Sequence, residues 1–232
     1  MCIRDSLWAS STMRTAGEEF SMALDLLGAK PIWKDTTERV SGFEIIPIAL
    51  LDRPRVDVTL RVSGLFRDIF PTLTTLYNQI IESLAKREEC KEWNPYVKSK
   101  NTSRVFGPKP GTYGLNNDFE IYNRSEDKNT DIAESWIEAS SWAINGNKVQ
   151  YRKDLIKNLL IKSKGFVHFQ DLKESDILLN SDHAKHYGGF NKAKTSLGGN
   201  VKLYHLDITN AETPRANNPL WTPLLAARSK CS

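Results

Sequence analysis

Apolar residues recur along this chain with two alternating periods, and the switches between them outline its elements. Between Thr15 and Gly28, Phe20, Ala23, Leu24 and Leu27 share one helical face. Glu18 and Glu19 fill the first turn and Gly28 supplies a stop, which predicts a helix. The period then drops to two. Ile32-Trp33, Gly42 to Ala49 and Val56 to Val62 read as strands, the last with Val56, Val58, Leu60 and Val62 on one face. Ser63-Gly64 turns that strand into a helix carrying Leu65, Ile69, Leu73, Leu76, Ile80, Ile81 and Leu84, with Pro71 in its first turns or at a kink.

Trp93 to Thr102 reads as a connector, followed by Val105-Phe106 and a loop, Gly107 to Gly114, rich in glycine and proline. Helical spacing returns over Asp131 to Ala143 and Lys148 to Lys162. A strand over Gly165 to Gln170, a helix over His183 to Leu197 and a strand over Val201 to His205 complete the pattern. The alternation predicts an α/β fold with two Rossmann-like lobes, residues 13–95 and 96–215, whose strand-turn-helix junctions face a crevice. Met1-Cys-Ile-Arg-Asp-Ser6 resembles a translated sequencing adapter, so residues 1–12 are expected to be a non-native lead and 216–232 a divergent tail.

Composition narrows the function classes. Lys+Arg 32 against Asp+Glu 28 gives a net charge of +4 with no basic block, so no nucleic-acid footprint is present. No apolar run approaches the roughly 20 residues of a membrane helix. Cys2, Cys90 and Cys231 are far apart and odd in number, which argues against a disulfide framework. With no apolar signal core in Met1 to Thr12, a reducing cytoplasm is expected.

The chemistry concentrates at strand ends. A strand that stops at Ser63-Gly64 leaves the first N–H groups of the next helix facing outward, a site for an anion, and Arg67 adds a planar fork suited to carboxylates. Arg67 and Asp68 would equally form an anchoring bridge. His168, Asp171, His205 and Asp207 fall at the ends of the later strands, where α/β sites form. His183-x-x-His186 and His205-x-Asp207 have metal-ligand capability but do not make a full ligand set, so no permanent metal is expected. Gly188 to Thr195 approaches a phosphate loop but has Ala193 where the second glycine belongs. Tyr113, in its glycine-rich loop, is the best aromatic candidate for walling a flat ligand. No nucleophile triad is legible.

Eight segments in series resemble the large CobN-type subunit of aerobic cobaltochelatase, with the H-type subunit of magnesium chelatase as nearest relative family. They are Met13-Arg-Thr-Ala-Gly-Glu-Glu19, Gly28-Ala-Lys-Pro-Ile-Trp33, Asp52-Arg-Pro-Arg-Val-Asp-Val58, Ser63-Gly-Leu-Phe-Arg-Asp68, Gly111-Thr-Tyr-Gly114, His168-Phe-Gln-Asp171, Gly188-Gly-Phe190 and Tyr204-His-Leu-Asp207. The resemblance implies insertion of cobalt into the metal-free corrinoid hydrogenobyrinic acid a,c-diamide during cobalamin synthesis. It implies that ATP is used by a partner AAA+ subunit, together with an integrin-domain subunit. A magnesium-chelatase H-type porphyrin-binding subunit, or a non-catalytic tetrapyrrole-binding scaffold, is the alternative. The family's G-x-H-G-x-x-E segment is not in this sequence, and the pattern stops after Pro214-Arg215, so the chain is expected to be an internal fragment, inactive alone.

On that resemblance, Arg14, Glu18, Ser63, Gly64, Arg67 and Tyr113 are the expected substrate-binding residues. His168, His205, Asp68 and Asp171 are the expected proton carriers, and Asp207 is the transient metal contact. A helix-terminus ion pair is the bland reading for Arg14 and Glu18.

Overall fold

The computed structural model describes residues 2–34, 39–114, 132–171 and 181–207. In chain order it contains β1 (Cys2–Leu7), α1 (Ala9–Arg14), α2 (Glu18–Leu27), β2 (Ala29–Lys34), β3 (Arg39–Ile45), β4 (Asp57–Val62), α3 (Gly64–Ile69), α4 (Pro71–Ala85) and β5 (Val105–Gly107). There follow α5 (Ile132–Glu138), β6 (Trp142–Asn145), β7 (Lys148–Tyr151), α6 (Lys153–Lys162), β8 (Gly165–Gln170), α7 (Ser181–Ser196) and β9 (Lys202–Asp207). Seven strands form one sheet in the order β7-β6-β5-β4-β1-β8-β9, while β2 and β3 make a separate antiparallel hairpin. The run β5-β4-β1-β8-β9 is parallel throughout.

Helices cover both faces of the sheet, as parallel strands require. On one face Leu24 and Leu27 of α2 and Ile80 and Ile81 of α4 pack with Val58, Leu60, Val62 and Val105. On the other, Trp136 of α5, Ile156 and Leu160 of α6 and Phe190 of α7 pack with Phe106 and Phe166. Successive residues Val105 and Phe106, and likewise Phe166 and Val167, serve opposite faces, which is the period-two pleat at work. Each such side chain contributes about 1.5–3 kcal/mol when fully buried.

The α/β class is as the sequence predicts, but the strands of both expected lobes join in one sheet. The reason lies in the connector. Asn94 and Tyr96 are fully buried; the Tyr96 hydroxyl donates to the Val56 carbonyl and accepts from the Val58 amide, and Asn94 Nδ2 donates to the Leu84 carbonyl. A segment expected to link two lobes is therefore stitched onto β4. Arg55 reinforces the stitching: its guanidinium donates to the carbonyls of Leu27, Gly28 and Ile46 and to both oxygens of Glu89, which also accepts from Asn94 of the connector, joining the end of α2, the end of the hairpin and the segment after α4.

The segment 1–12, expected to be a lead, supplies the central strand. β1 pairs with β4 from Cys2↔Asp57 to Leu7↔Val62 and with β8 from Ile3↔Gly165 to Asp5↔Val167. Polar Asp5 and Ser6 interrupt its apolar alternation, so periodicity does not reveal it. The expected strand Gly42 to Ala49 stops at Ile45, and a 3-10 turn, Ile48–Leu50, follows Pro47, which has no N–H to give to a ladder. The helix after Ser63 is two helices, because Pro71 opens α4 at a first-turn position that needs no donor. The expected helix Asp131 to Ala143 ends at Glu138, and β6 and β7 form a hairpin across Gly146, whose φ of +59° suits a tight turn. The tail 216–232 lies outside the described residues.

Candidate functional site

Five parallel strands place their carboxyl ends along one edge of the sheet, and every expected site residue on the strands or in the turns after them lies there. From β1 the chain proceeds to β4 and β5 with α2 and α4 on one face. From β8 it proceeds to β9 with α7 on the other face. The elements that follow β1 and β8 therefore lie on opposite faces, and in an open α/β sheet such a switch point marks the usual position of a ligand crevice, above the two strand ends.

One wall follows β4. Ser63 caps α3, its hydroxyl accepting from the Phe66 amide at 3.1 Å. The Ser63 amide donates to the Leu7 carbonyl, tying the ends of β4 and β1 together. Arg67 is buried. Its Nε and Nη2 hold the two Asp68 oxygens at 2.7 and 3.0 Å, and Nη1 donates to the carbonyls of Pro108 and Lys109. The guanidinium carbon lies 5.9 Å from the Tyr113 ring centre, and Tyr113 is 60% exposed at the rim. The Arg67 hydrogen bonds hold the Asp68 carboxyl below its ordinary range, with help from Tyr113. Gly64 lies directly under the Thr112 carbonyl, where no side chain fits.

The other wall follows β1 and β8. Arg14, in the last turn of α1, reaches across to Asp171 just past β8, with Nε and Nη2 each 2.7 Å from the same oxygen, Oδ2. Beyond Arg14 the chain turns through Ala16 and Gly17, both left-handed, with φ of +53° and +84°. The Trp8 indole, at the end of β1, packs against the rings of His168 and His186, with centroids 5.9 and 5.4 Å away. His168 pairs with His205, and Gln170 with Asp207, in the register of the β8–β9 ladder. Glu18, half-buried, starts α2 with its amide donating to the Thr15 hydroxyl. Among the described residues no group of three His, Cys, Asp or Glu side chains is placed to cage a metal ion.

The expected residues thus divide. Ser63, Gly64, Arg67, Asp68 and Tyr113 meet in one cluster; Arg14 and Asp171 meet across β1 and β8, His168 lies on β8 against Trp8, and His205 and Asp207 lie on the adjoining strand. A family model described as CobN/Magnesium Chelatase matches residues 3–230. The chain belongs to the CobN/magnesium chelatase family. It is 34% identical to the aerobic cobaltochelatase subunit CobN of Pseudomonas aeruginosa, over 90% of this chain and 19% of that protein. Against the H-type subunit of magnesium chelatase from Chlorobaculum parvum the identity is 29%, over 75% of this chain and 15% of that protein. Among solved structures, the catalytic subunit of cobaltochelatase from Mycobacterium tuberculosis superposes with a TM-score of 0.82 at 30% identity, covering 90% of this chain and 19% of that one. The chain therefore spans about one-fifth of the length of the CobN relative.

Within this CobN-family edge, sequence reasoning misses Trp8, His186 and Glu19. Trp8 lies in the segment expected to be a lead. His186 enters the sequence pattern only as a metal ligand with His183, whereas its ring contact is with Trp8. Glu19 is buried and accepts from the hydroxyls of Ser11 and Thr15, which clamps the end of α1, where Arg14 lies, onto α2. The hydroxyls at 11 and 15, four apart on either side of Arg14, are the available signal.

Proposed function

We propose that this chain is part of the corrinoid-binding subunit of an ATP-dependent cobaltochelatase, which inserts cobalt into hydrogenobyrinic acid a,c-diamide in cobalamin biosynthesis. The observation that carries the proposal is the switch point between β1 and β8, where the exposed Arg14 pairs with Asp171 and the His168 ring packs on Trp8, in a chain of the CobN family. Metal insertion exchanges one divalent cation for two protons on the macrocycle nitrogens. Arg14 meets a peripheral carboxylate, and Tyr113 lies along the flat face. His168 and His205 take the departing protons, and Asp171 and Asp207 pass the cation. Arg67 and Asp68 act at one remove: their bridge holds the loop that carries Tyr113. Ser63, Gly64 and Glu18 shape the two walls.

ATP would be spent by a separate AAA+ subunit working with an integrin-domain subunit, in the cytoplasm. Among the described residues no helix is long and apolar enough to cross a membrane. Cobalt is preferred over magnesium because identity is higher to the CobN relative, 34% against 29%. The test is an insertion assay with the full-length subunit, its partners and ATP, offering cobalt with metal-free corrinoid and magnesium with protoporphyrin. Cobalt corrinoid as the product supports the reading. Magnesium porphyrin redirects it to the H-type reading, and binding of either macrocycle without insertion leaves a scaffold.

A further inference from the structure

Two arginine–carboxylate pairs of this protein, Arg67–Asp68 and Arg55–Glu89, are closed on both oxygens. Arg67 grips both oxygens of Asp68 and spends Nη1 on two loop carbonyls, with its side chain 5% exposed. Arg55 grips both oxygens of Glu89, with the arginine fully buried. These are locks: the fork is filled and water is kept away.

Arg14 differs on every count. Its Nε and Nη2 converge on one oxygen of Asp171, Nη1 makes no hydrogen bond among the described residues, and the side chain is 40% exposed. The arginine is presented to solvent while its partner is 10% exposed. The pair joins residues 157 positions apart, across the switch point between β1 and β8. Two donors converging on one oxygen leave the rest of the Arg14 fork open, on its exposed side, to an incoming ligand. What displaces Asp171 must satisfy the same fork, and that is another carboxylate.

We propose that Asp171 is a placeholder in a carboxylate subsite at Arg14: a side-chain carboxylate of the macrocycle takes Arg14 and releases Asp171. The inference rests on the chelatase reading and deepens it. Binding and chemistry become linked by charge. A carboxylate with little access to water that has lost its cation requires another positive charge, either a proton or a divalent metal ion. Both are available where a macrocycle loses protons and gains a metal. The exchange also gives selectivity, since a macrocycle whose peripheral acids are all amidated cannot displace Asp171 and leaves the pair closed.

The two residues then carry opposite signs in a binding experiment. Metal-free corrinoid bearing free carboxylates is titrated into the full-length subunit and its dissociation constant read from the absorbance change. Arg14→Ala weakens binding about fivefold or more, whereas Asp171→Asn tightens it by up to about fivefold, because the competitor is gone. Asp171→Ser gives a second route to the same result if the asparagine variant fails to fold. With the fully amidated corrinoid, neither variant differs from wild type. Asp171→Asn and Asp171→Ser that bind the acid corrinoid no more tightly than wild type overturn the exchange while leaving the chelatase reading standing. A wild-type subunit that binds no corrinoid overturns both.

Discussion

Gly64 and Thr112 touch: the first residue of α3 lies beneath the Thr112 carbonyl so closely that a β-carbon has no place between them. Tyr113 packs on the same glycine, so the loop after β5 rests on the start of α3. Gly64→Ala pushes this loop outward at a cost of about 1–3 kcal/mol. Amide hydrogen exchange of the full-length subunit reads the effect as lost protection over residues 107–114, with the sheet unchanged. Unaltered exchange there would show that the loop has another support.

Arg67→Lys tests the positioning role of the bridge. An ammonium group cannot hold both Asp68 oxygens and also reach the carbonyls of Pro108 and Lys109, so the same loop loosens by about 1–3 kcal/mol. Corrinoid affinity falls through Tyr113, and Tyr113→Ala in the lysine background adds little more. Independent, additive losses in binding would place Arg67 directly on the substrate.

Glu89 gives the fold an acid limit. Burial pushes its carboxyl up, but hydrogen bonds from Arg55 and Arg87 outweigh this and hold it below the usual 4.5. A carboxyl lowered on folding contributes stability that is present above about pH 4.5 and is lost as pH falls through the folded value. Local exchange at the connector should therefore rise below that pH. Glu89→Gln should flatten this acid response and cost about 3 kcal/mol at neutral pH, because the buried Arg55 loses its counter-charge.

His168→Ala and His205→Ala separate the proton acceptors from the walls. Loss of a general base lowers turnover by about 100-fold or more with corrinoid affinity nearly unchanged, and alters the pH profile of kcat. Wild-type turnover and pH profile in both variants would remove histidine as the acceptor.

Much of this edge is legible from local patterns, because its parts obey local rules. Ser63 before an apolar helix is a cap whether or not anything binds there, and Val56 to Val62 alternates because one face meets α2 and α4. What cannot be read depends on distance in the chain. Asp5 and Ser6 hide β1 from any periodicity, and only the pairing of Ile3 with Gly165 makes it central. The partner of Arg14 lies 157 residues away, so its bland reading, an ion pair at the terminus of its own helix, misses the pairing across β1 and β8. The hairpin at Gly146 escapes for a different reason: Ile137 and Trp136 carry a helical count past a turn that Asn145-Gly146 already announces.

The central place of β1 also sets the order of assembly. Its ladder to β4 closes a loop of some fifty residues, but its ladder to β8 joins Ile3 to Gly165 and must wait until most of the chain has been made. Contacts of such wide sequence separation form slowly, after the local ones. The Arg14–Asp171 pair sits on that seam, so a nascent chain can complete the Tyr113 wall early while this pair waits until β8 docks. On the proposed function, binding competence would arrive with this late step, and a macrocycle gripping both walls would hold that last seam shut.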